Sequence, residues 1–327
     1  MHLPQDALSP NHSHNKLLIE LRPVIMMAKA SINSCPVCNG NHWTHVCTCA
    51  ATEEEICEVL LCTDCGLVKR MPVPQNDDTG IHAIDKALRT PPKSGIISHC
   101  YDLILHTWNR QKAHITEREA GRVSGVLLDA GCHRGNFITT MRQRGWIAHG
   151  IERNNEARQY GNTHYNLRIE KGEMLYRIHP KSYNVVTAWD FIGQTQEPRK
   201  SFKALCDLLT SDGTLIVGLY NPASDIATRH KEIWYRLMAH DTYLFSRNAF
   251  ERLAADNNMQ IIRVQNSTAM TMAANTACQL LRNKYRKQIT ALARGCVEGF
   301  KTASARRYKP DNGCYIIYTL KHKTLPQ

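Results

Sequence analysis

The stretch Val126–Asn154, VLLDAGCHRGNFITTMRQRGWIAHGIERN, decides the fold. Val126, Leu127 and Leu128 are a short apolar run of the kind found in a strand buried on both faces of a parallel sheet. Asp129-Ala-Gly131-Cys132-His133-Arg-Gly135 follows at its carboxyl end, then a helical segment to about Gly145 and a second strand over Ile147–Ile151 closed by Glu152. Glycine at a strand-to-helix turn permits tight backbone angles and close approach of a ligand, and the helix start offers free N–H groups. An acidic residue just past the second strand can accept both hydroxyls of a ribose. The G-x-G-x-x-G spacing that lays backbone against a pyrophosphate is missing here. The acid two positions before Gly131 suits a cationic, phosphate-free cofactor better.

D-x-G-C-x-x-G followed by a strand ending in Glu resembles the class I S-adenosylmethionine (SAM) dependent methyltransferases, whose motif usually reads D-x-G-x-G-x-G. Asp129, Gly131 and Gly135 match, and His133 stands where the middle glycine is usual. The resemblance implies an α/β, Rossmann-like, seven-stranded sheet. It also implies SAM as cofactor, held by Asp129, Gly131, Cys132, Gly135 and Glu152. Glu173 and Met174 occupy the loop where this family usually contacts adenine.

A second signal precedes this stretch. Cys35-Pro-Val-Cys38 and Cys62-Thr-Asp-Cys65 each fit a tight knuckle, and two knuckles complete a tetrahedral four-thiolate site for a structural Zn2+ ion. The residues between them leave room for a β-hairpin, and Cys47, Cys49, Cys57, His42 and His45 among them are substitute ligands. Cys65-Gly-Leu-Val-Lys-Arg-Met-Pro72-Val-Pro74 resembles the C-G-L-V-x-x-x-P-x-P stretch of a methyltransferase subgroup with an N-terminal zinc ribbon. That subgroup implies a small biosynthetic intermediate as methyl acceptor, such as a nucleotide-linked sugar or glycan precursor.

Further along, Tyr183–Asp190 reads as the fourth strand of the catalytic sheet and resembles the family's F-D-V-V-T-x-W-D. Asp190 falls at its carboxyl end, where cofactor and acceptor approach in open α/β sheets. The continuation aligns with a segment that usually contains Glu-His, positions held here by Gly193 and Gln194. Glutamine cannot titrate. His240 and Asp241 lie at or beside the place of a family histidine in H-L-x-x-F-S, and either can serve as a general base. Capping or buried-polar roles are the plainer alternative for both. Asp225–Ala239 reads as one helix, Ser211–Thr214 as a turn, and Cys314–Leu320 as the last strand.

These readings divide the chain into a disordered extension over 1–30, a zinc ribbon over 31–74, a linker and helix over 75–122, and a methyltransferase domain over 123–327. The 327 residues carry a net charge of +12. Leu280–Gln327 concentrates it, with eleven Lys and Arg against Glu298 and Asp311. Such a basic segment can meet nucleic acid, anionic lipid or a phosphorylated acceptor, and a solvated helical face is the plainer alternative. No apolar run reaches the ~18 residues of a membrane span, and no secretory signal is visible. Thirteen cysteines with metal-type spacing fit a reducing, cytoplasmic setting. The favoured function is methyl transfer to a small molecule. The alternatives are an RNA methyltransferase and a non-catalytic binding protein that keeps the fold.

Overall fold

The computed structural model describes residues 34–50, 56–72, 96–238, 240–267, 270, 274, 278 and 313–323. The expected N-terminal extension, most of the linker and most of the basic segment over 280–327 lie outside the described residues. Cys35–Gln327 forms one compact unit.

The central sheet has seven strands. In chain order they are β4 (Val126–Ala130), β5 (Ile147–Glu152), β6 (Ile169–Lys171), β7 (Tyr183–Trp189), β8 (Leu209–Tyr220), β10 (Met259–Asn266) and β11 (Tyr315–His322). Their spatial order is β10-β11-β8-β7-β4-β5-β6. The five strands β4 to β8 run parallel, and β11 pairs antiparallel with both β8 and β10. The chain order reverses direction in space beside β4, so β4 and β7 flank the switch point where a ligand crevice opens at the strand ends. Leu127, Leu128, Val185 and Val186 are all buried, as the unbroken apolar runs predict for strands covered on both faces.

Helices α1 (Ile96–Ala120), α2 (Asn136–Gln143), α3 (Asn155–His164), α4 (Pro198–Asp207) and α7 (Arg247–Asp256) accompany the sheet. Pro198 begins α4, where its missing N–H leaves no bond unmade. Asn154 caps α3 and Ser246 caps α7, each side chain accepting from a backbone N–H. Two readings change. The single helix expected over Asp225–Ala239 is broken at Lys231, whose φ is 40°, into α5 (Asp225–His230) and α6 (Glu232–Leu237). The turn expected at Ser211–Thr214 is part of the twelve-residue β8, which begins at Leu209.

The cysteine module forms a second sheet. Strands β1 (Trp43–Ala50) and β2 (Ile56–Cys62) make the hairpin expected between the knuckles, and β3 (Leu67–Met71) pairs with β2. The fourth strand, β9 (Tyr243–Phe245), comes from far along the chain, after β8, with Leu67 opposite Phe245 and Lys69 opposite Tyr243. The two parts share one core, in which Cys35, Cys62, Cys65 and Leu67 pack in the same cluster as Phe245, Phe250 and Tyr318. Polar contacts reinforce this junction. Arg199 donates to the carbonyls of Pro36 (3.0 Å) and Val37 and pairs with Asp256 at 2.7 Å. Ser246 Oγ donates to the Cys65 carbonyl at 3.1 Å.

Candidate cofactor site and four-cysteine cluster

The loop after β4 is closed onto β5 by backbone hydrogen bonds. The N–H groups of Gly131 and Cys132 both donate to the Ile151 carbonyl, at 2.9 and 3.1 Å. Gly131, His133 and Gly135 all have positive φ, of 72°, 51° and 79°. At Gly135 the positive φ favours glycine, and a Cβ would sit 2.2 Å from Leu167 Cδ1, so the end of that side chain would also have to shift. His133 takes a left-handed conformation at some strain, and its N–H donates to Glu152 Oε2 at 2.8 Å. Thus the position where the family usually has glycine keeps the glycine-like backbone with a histidine side chain.

Glu152 organises the cradle. One carboxylate oxygen accepts from His133 N, and the other accepts from Asn154 N at 2.8 Å. A carboxylate has about four acceptor sites, so roughly two remain for ligand hydroxyls. The turn behind it is braced by Arg158, which donates to the carbonyls of Glu152 (2.8 Å) and Arg153 (2.6 Å). Glu173 is exposed and Met174 half-buried on a single 3-10 turn, Gly172–Tyr176. A Cβ on Gly172 would lie 3.3 Å from Arg153 Cβ, which brings this turn against the end of β5 beside Glu152.

Asp129 is buried, and Thr187 Oγ1 donates to its Oδ1 at 2.6 Å. Burial pushes its carboxyl up to about 6, while Lys112 and Thr187 pull the other way and Glu152 adds to the rise. The folded value exceeds the ordinary value of 3.8, so the native state binds more protons between about pH 4 and pH 6. Stability from this group is therefore full below about pH 4 and is lost as pH rises through about 6, by roughly 3 kcal/mol. Asp129→Asn keeps an acceptor for Thr187 and is expected to flatten that decline. Urea titrations across this window would show it, and an unchanged slope would refute the assignment.

Lys112 was not singled out in the sequence. Its ammonium lies 5.3, 5.7 and 5.1 Å from the ring centroids of Trp108, Phe137 and Trp189, and its charge acts on Asp129. Its spacing of four from Trp108 on α1 was the available signal, because such residues share a helix face.

At the end of β7, Asp190 has φ 59°, and its N–H donates to the Gly218 carbonyl at 3.0 Å. The buried hydroxyl of Tyr315 lies beside it. Burial pushes that hydroxyl well up, and Asp190 and Asp241 push the same way. Asp241 is 4% exposed, and its Oδ2 lies 3.7 Å from His240 Nε2. Gly193 explains itself in this setting. A Cβ there would stand 2.5 Å from the Tyr243 carbonyl oxygen and 3.2 Å from Asp241 Oδ1. The place a side chain at 193 would fill is therefore taken by β9 and Asp241.

The knuckles also come together. The sulfurs of Cys35, Cys38, Cys62 and Cys65 all lie within 4.8 Å of one another. Cys35 and Cys65 are 3.6 Å apart, and Cys38 and Cys62 3.5 Å. Bonds of about 2.3 Å to a tetrahedral zinc ion would set sulfurs roughly 3.8 Å apart, so the cluster fits that ion. The contact with Cys65, opposed by burial, holds the Cys35 thiol down at about 5. Cys47, Cys49 and Cys57 lie instead in a separate apolar cluster with Trp234 and Met238.

Residues 104–264 match the model of a family described as a methyltransferase domain. By that match this stretch is a methyltransferase domain. The chain is 27% identical over 127 residues to the ubiquinone biosynthesis O-methyltransferase of Saccharophagus degradans, covering 36% of this chain and 52% of that protein. It is 25% identical over 125 residues to the protein of that name from Shewanella sp. strain ANA-3, covering 36% and 53%. The chain thus spans about half the length of the curated relatives it matches. Among solved structures, geranyl diphosphate C-methyltransferase from Streptomyces coelicolor A3(2) aligns with a TM-score of 0.49 at 15% identity, over 71% of this chain and 88% of that one. Among the described residues, no helix is long and apolar enough to cross a membrane.

Proposed function

We propose that the chain transfers a methyl group from SAM to a small-molecule acceptor. The observation that carries this is the Glu152 cradle, in which one carboxylate closes the glycine loop and keeps acceptor sites for a ribose. We assign Asp129, Gly131, Cys132 and Gly135 to the cofactor on the same loop, and Glu173 and Met174 to its adenine, a reading supported by the turn that lies against the end of β5. Lys112 would take the carboxylate of the methionyl end. SAM supplies an electrophilic methyl group. The protein aligns the acceptor in line with it and excludes water.

An oxygen acceptor is favoured, because the two relatives are named O-methyltransferases. A hydroxyl acceptor has to lose a proton. Gln194 cannot receive it, so we assign that role to Asp190 or to Asp241 with His240 behind it. The resemblance around Cys65–Pro74 supports a nucleotide-linked sugar or glycan precursor as the acceptor. Zn2+ on Cys35, Cys38, Cys62 and Cys65 is assigned a structural role, since four thiolates leave no open position for chemistry.

The test is calorimetric titration of the full chain with S-adenosylhomocysteine (SAH). Binding with a Kd in the micromolar range is expected, about −8 kcal/mol. No heat up to millimolar SAH in a folded sample would refute this function and favour a non-catalytic role.

A further inference from the structure

Lys69 is a buried lysine, 8% exposed, in the middle of β3. Among the described residues, none supplies its ammonium with a carboxylate partner. Side chains alternate along a strand, so Lys69 shares a sheet face with Leu67, and Val68 takes the other face. Leu67 packs with Cys35, Cys62 and Cys65, whereas Val68 packs in the separate cluster of Trp234 and Met238. Tyr243 stands opposite Lys69 in the β3–β9 pair and belongs to the same cluster as the knuckle cysteines. Lys69 therefore lies on the cysteine face of this sheet. The charge of Cys35 is felt there. Burial pulls the Lys69 ammonium toward its neutral form and the Cys35 charge opposes this, while burial raises the Tyr243 hydroxyl and the Cys35 charge adds to the rise.

Two other charged groups at the knuckles are already matched. Asp64, inside the second knuckle, pairs with His42 at 3.0 Å, and Arg199, which donates to the first knuckle, pairs with Asp256 at 2.7 Å. Four thiolates around a divalent ion leave two negative charges in excess. Buried charge is costly unless it is paired. Gly40 N donates to Cys38 Sγ at 3.4 Å, but a backbone N–H brings no net charge.

We propose that Lys69 is the counter-charge of the metal–thiolate cluster: its ammonium, held on the cysteine face of β3, offsets the excess negative charge and sets how tightly the four cysteines hold their ion. This rests on the reading above that Cys35, Cys38, Cys62 and Cys65 take a structural metal. It gives a lysine that is no ligand a part in metal binding. It also makes the strand that joins the cysteine module to β9 part of the metal site.

The experiment measures the zinc affinity of the full chain by competition with a chromophoric chelator, for the wild type, Lys69→Met and Lys69→Arg. Lys69→Met is expected to hold zinc at least about tenfold more weakly, as for other residues that support a metal's ligands. Lys69→Arg keeps the charge and should retain most of the affinity. Co2+ in place of Zn2+ should give the same four-sulfur tetrahedral spectrum in all three, because a charge and not a ligand has been removed. The Met substitution is repeated in a Cys38→His background, whose cluster carries one negative charge fewer, and should cost less there. Equal zinc affinity in the wild type and Lys69→Met, a Lys69→Arg as weak as Lys69→Met, a lost four-sulfur spectrum, or the same cost in both backgrounds overturns the counter-charge. Lys69 is then a stem packed on apolar surface. If Lys69→Met does not fold, Lys69→Gln takes its place under the same criteria. A folded wild type that takes up no zinc removes the metal reading and the counter-charge together, whereas tight zinc with no loss in Lys69→Met removes the counter-charge alone.

Discussion

Removing the metal from the full chain with a chelator, or replacing Cys65 by serine, is expected to lower the melting temperature by on the order of 10 °C or more. Structural zinc in small modules contributes about 10–16 kcal/mol of binding free energy, and part of that is folding free energy. Each kcal/mol lost moves the midpoint by roughly 2–4 °C in a domain of this size class. The effect should not stay inside the module. β3 is paired to β9, Ser246 caps α7 and also holds the Cys65 carbonyl, and Arg199 fastens the first knuckle to α4 and Asp256. Loss of the ion therefore loosens β9 and, two residues upstream of it, Asp241. Scanning calorimetry with metal analysis checks this. A protein that is purified without stoichiometric metal and melts the same with and without added zinc would overturn the assignment. The Glu152 cradle makes its hydrogen bonds within residues 131–158, so SAH affinity should suffer less than stability does.

Glu152→Ala is expected to weaken SAH binding by about 100-fold or more. Two effects combine. The N–H groups of His133 and Asn154 lose a charged acceptor, each such bond being worth about 1.5–3 kcal/mol, and the ribose loses its partner. A loss of about 2.8 kcal/mol is already 100-fold. The backbone at His133 has φ 51° and donates to Glu152, so removing that acceptor also removes one of the contacts that hold a strained residue. Glu152→Gln retains one acceptor oxygen and should fall between alanine and wild type. Calorimetry with SAH measures all three, and near wild-type affinity in the alanine variant would show that Glu152 is not the ribose residue.

The elements that were legible are those whose signal is local. A short apolar run marks β4, an apolar and β-branched run marks β7, glycines at required conformations mark the loop after β4, and paired C-x-x-C knuckles mark the four-sulfur cluster. Glu152 was also legible, since its place after the second strand follows from the geometry of any strand-turn-helix-strand unit. β9 was not. Its three residues, Tyr243–Phe245, are too few to show a period, and it becomes a strand only because β3 offers it an edge. The break at Lys231 was equally hidden, as nothing in Asp225–Ala239 besides tertiary packing forces a left-handed residue there.

The catalytic end shows the same division. Gly193 looked in sequence like the loss of a functional side chain. In the fold it is the vacancy that β9 and Asp241 require. Lys112 and Tyr315 acquire their meaning from residues far away in the chain, Asp129 and Asp190. Local sequence by itself determined the class of fold, the glycine turn after β4 and the cysteine knuckles, because backbone conformation and short spacing are encoded by neighbouring residues. Only the tertiary structure decided that the cysteine module is built onto the same core as the seven-stranded sheet, because burial and strand pairing depend on which distant segments are brought side by side.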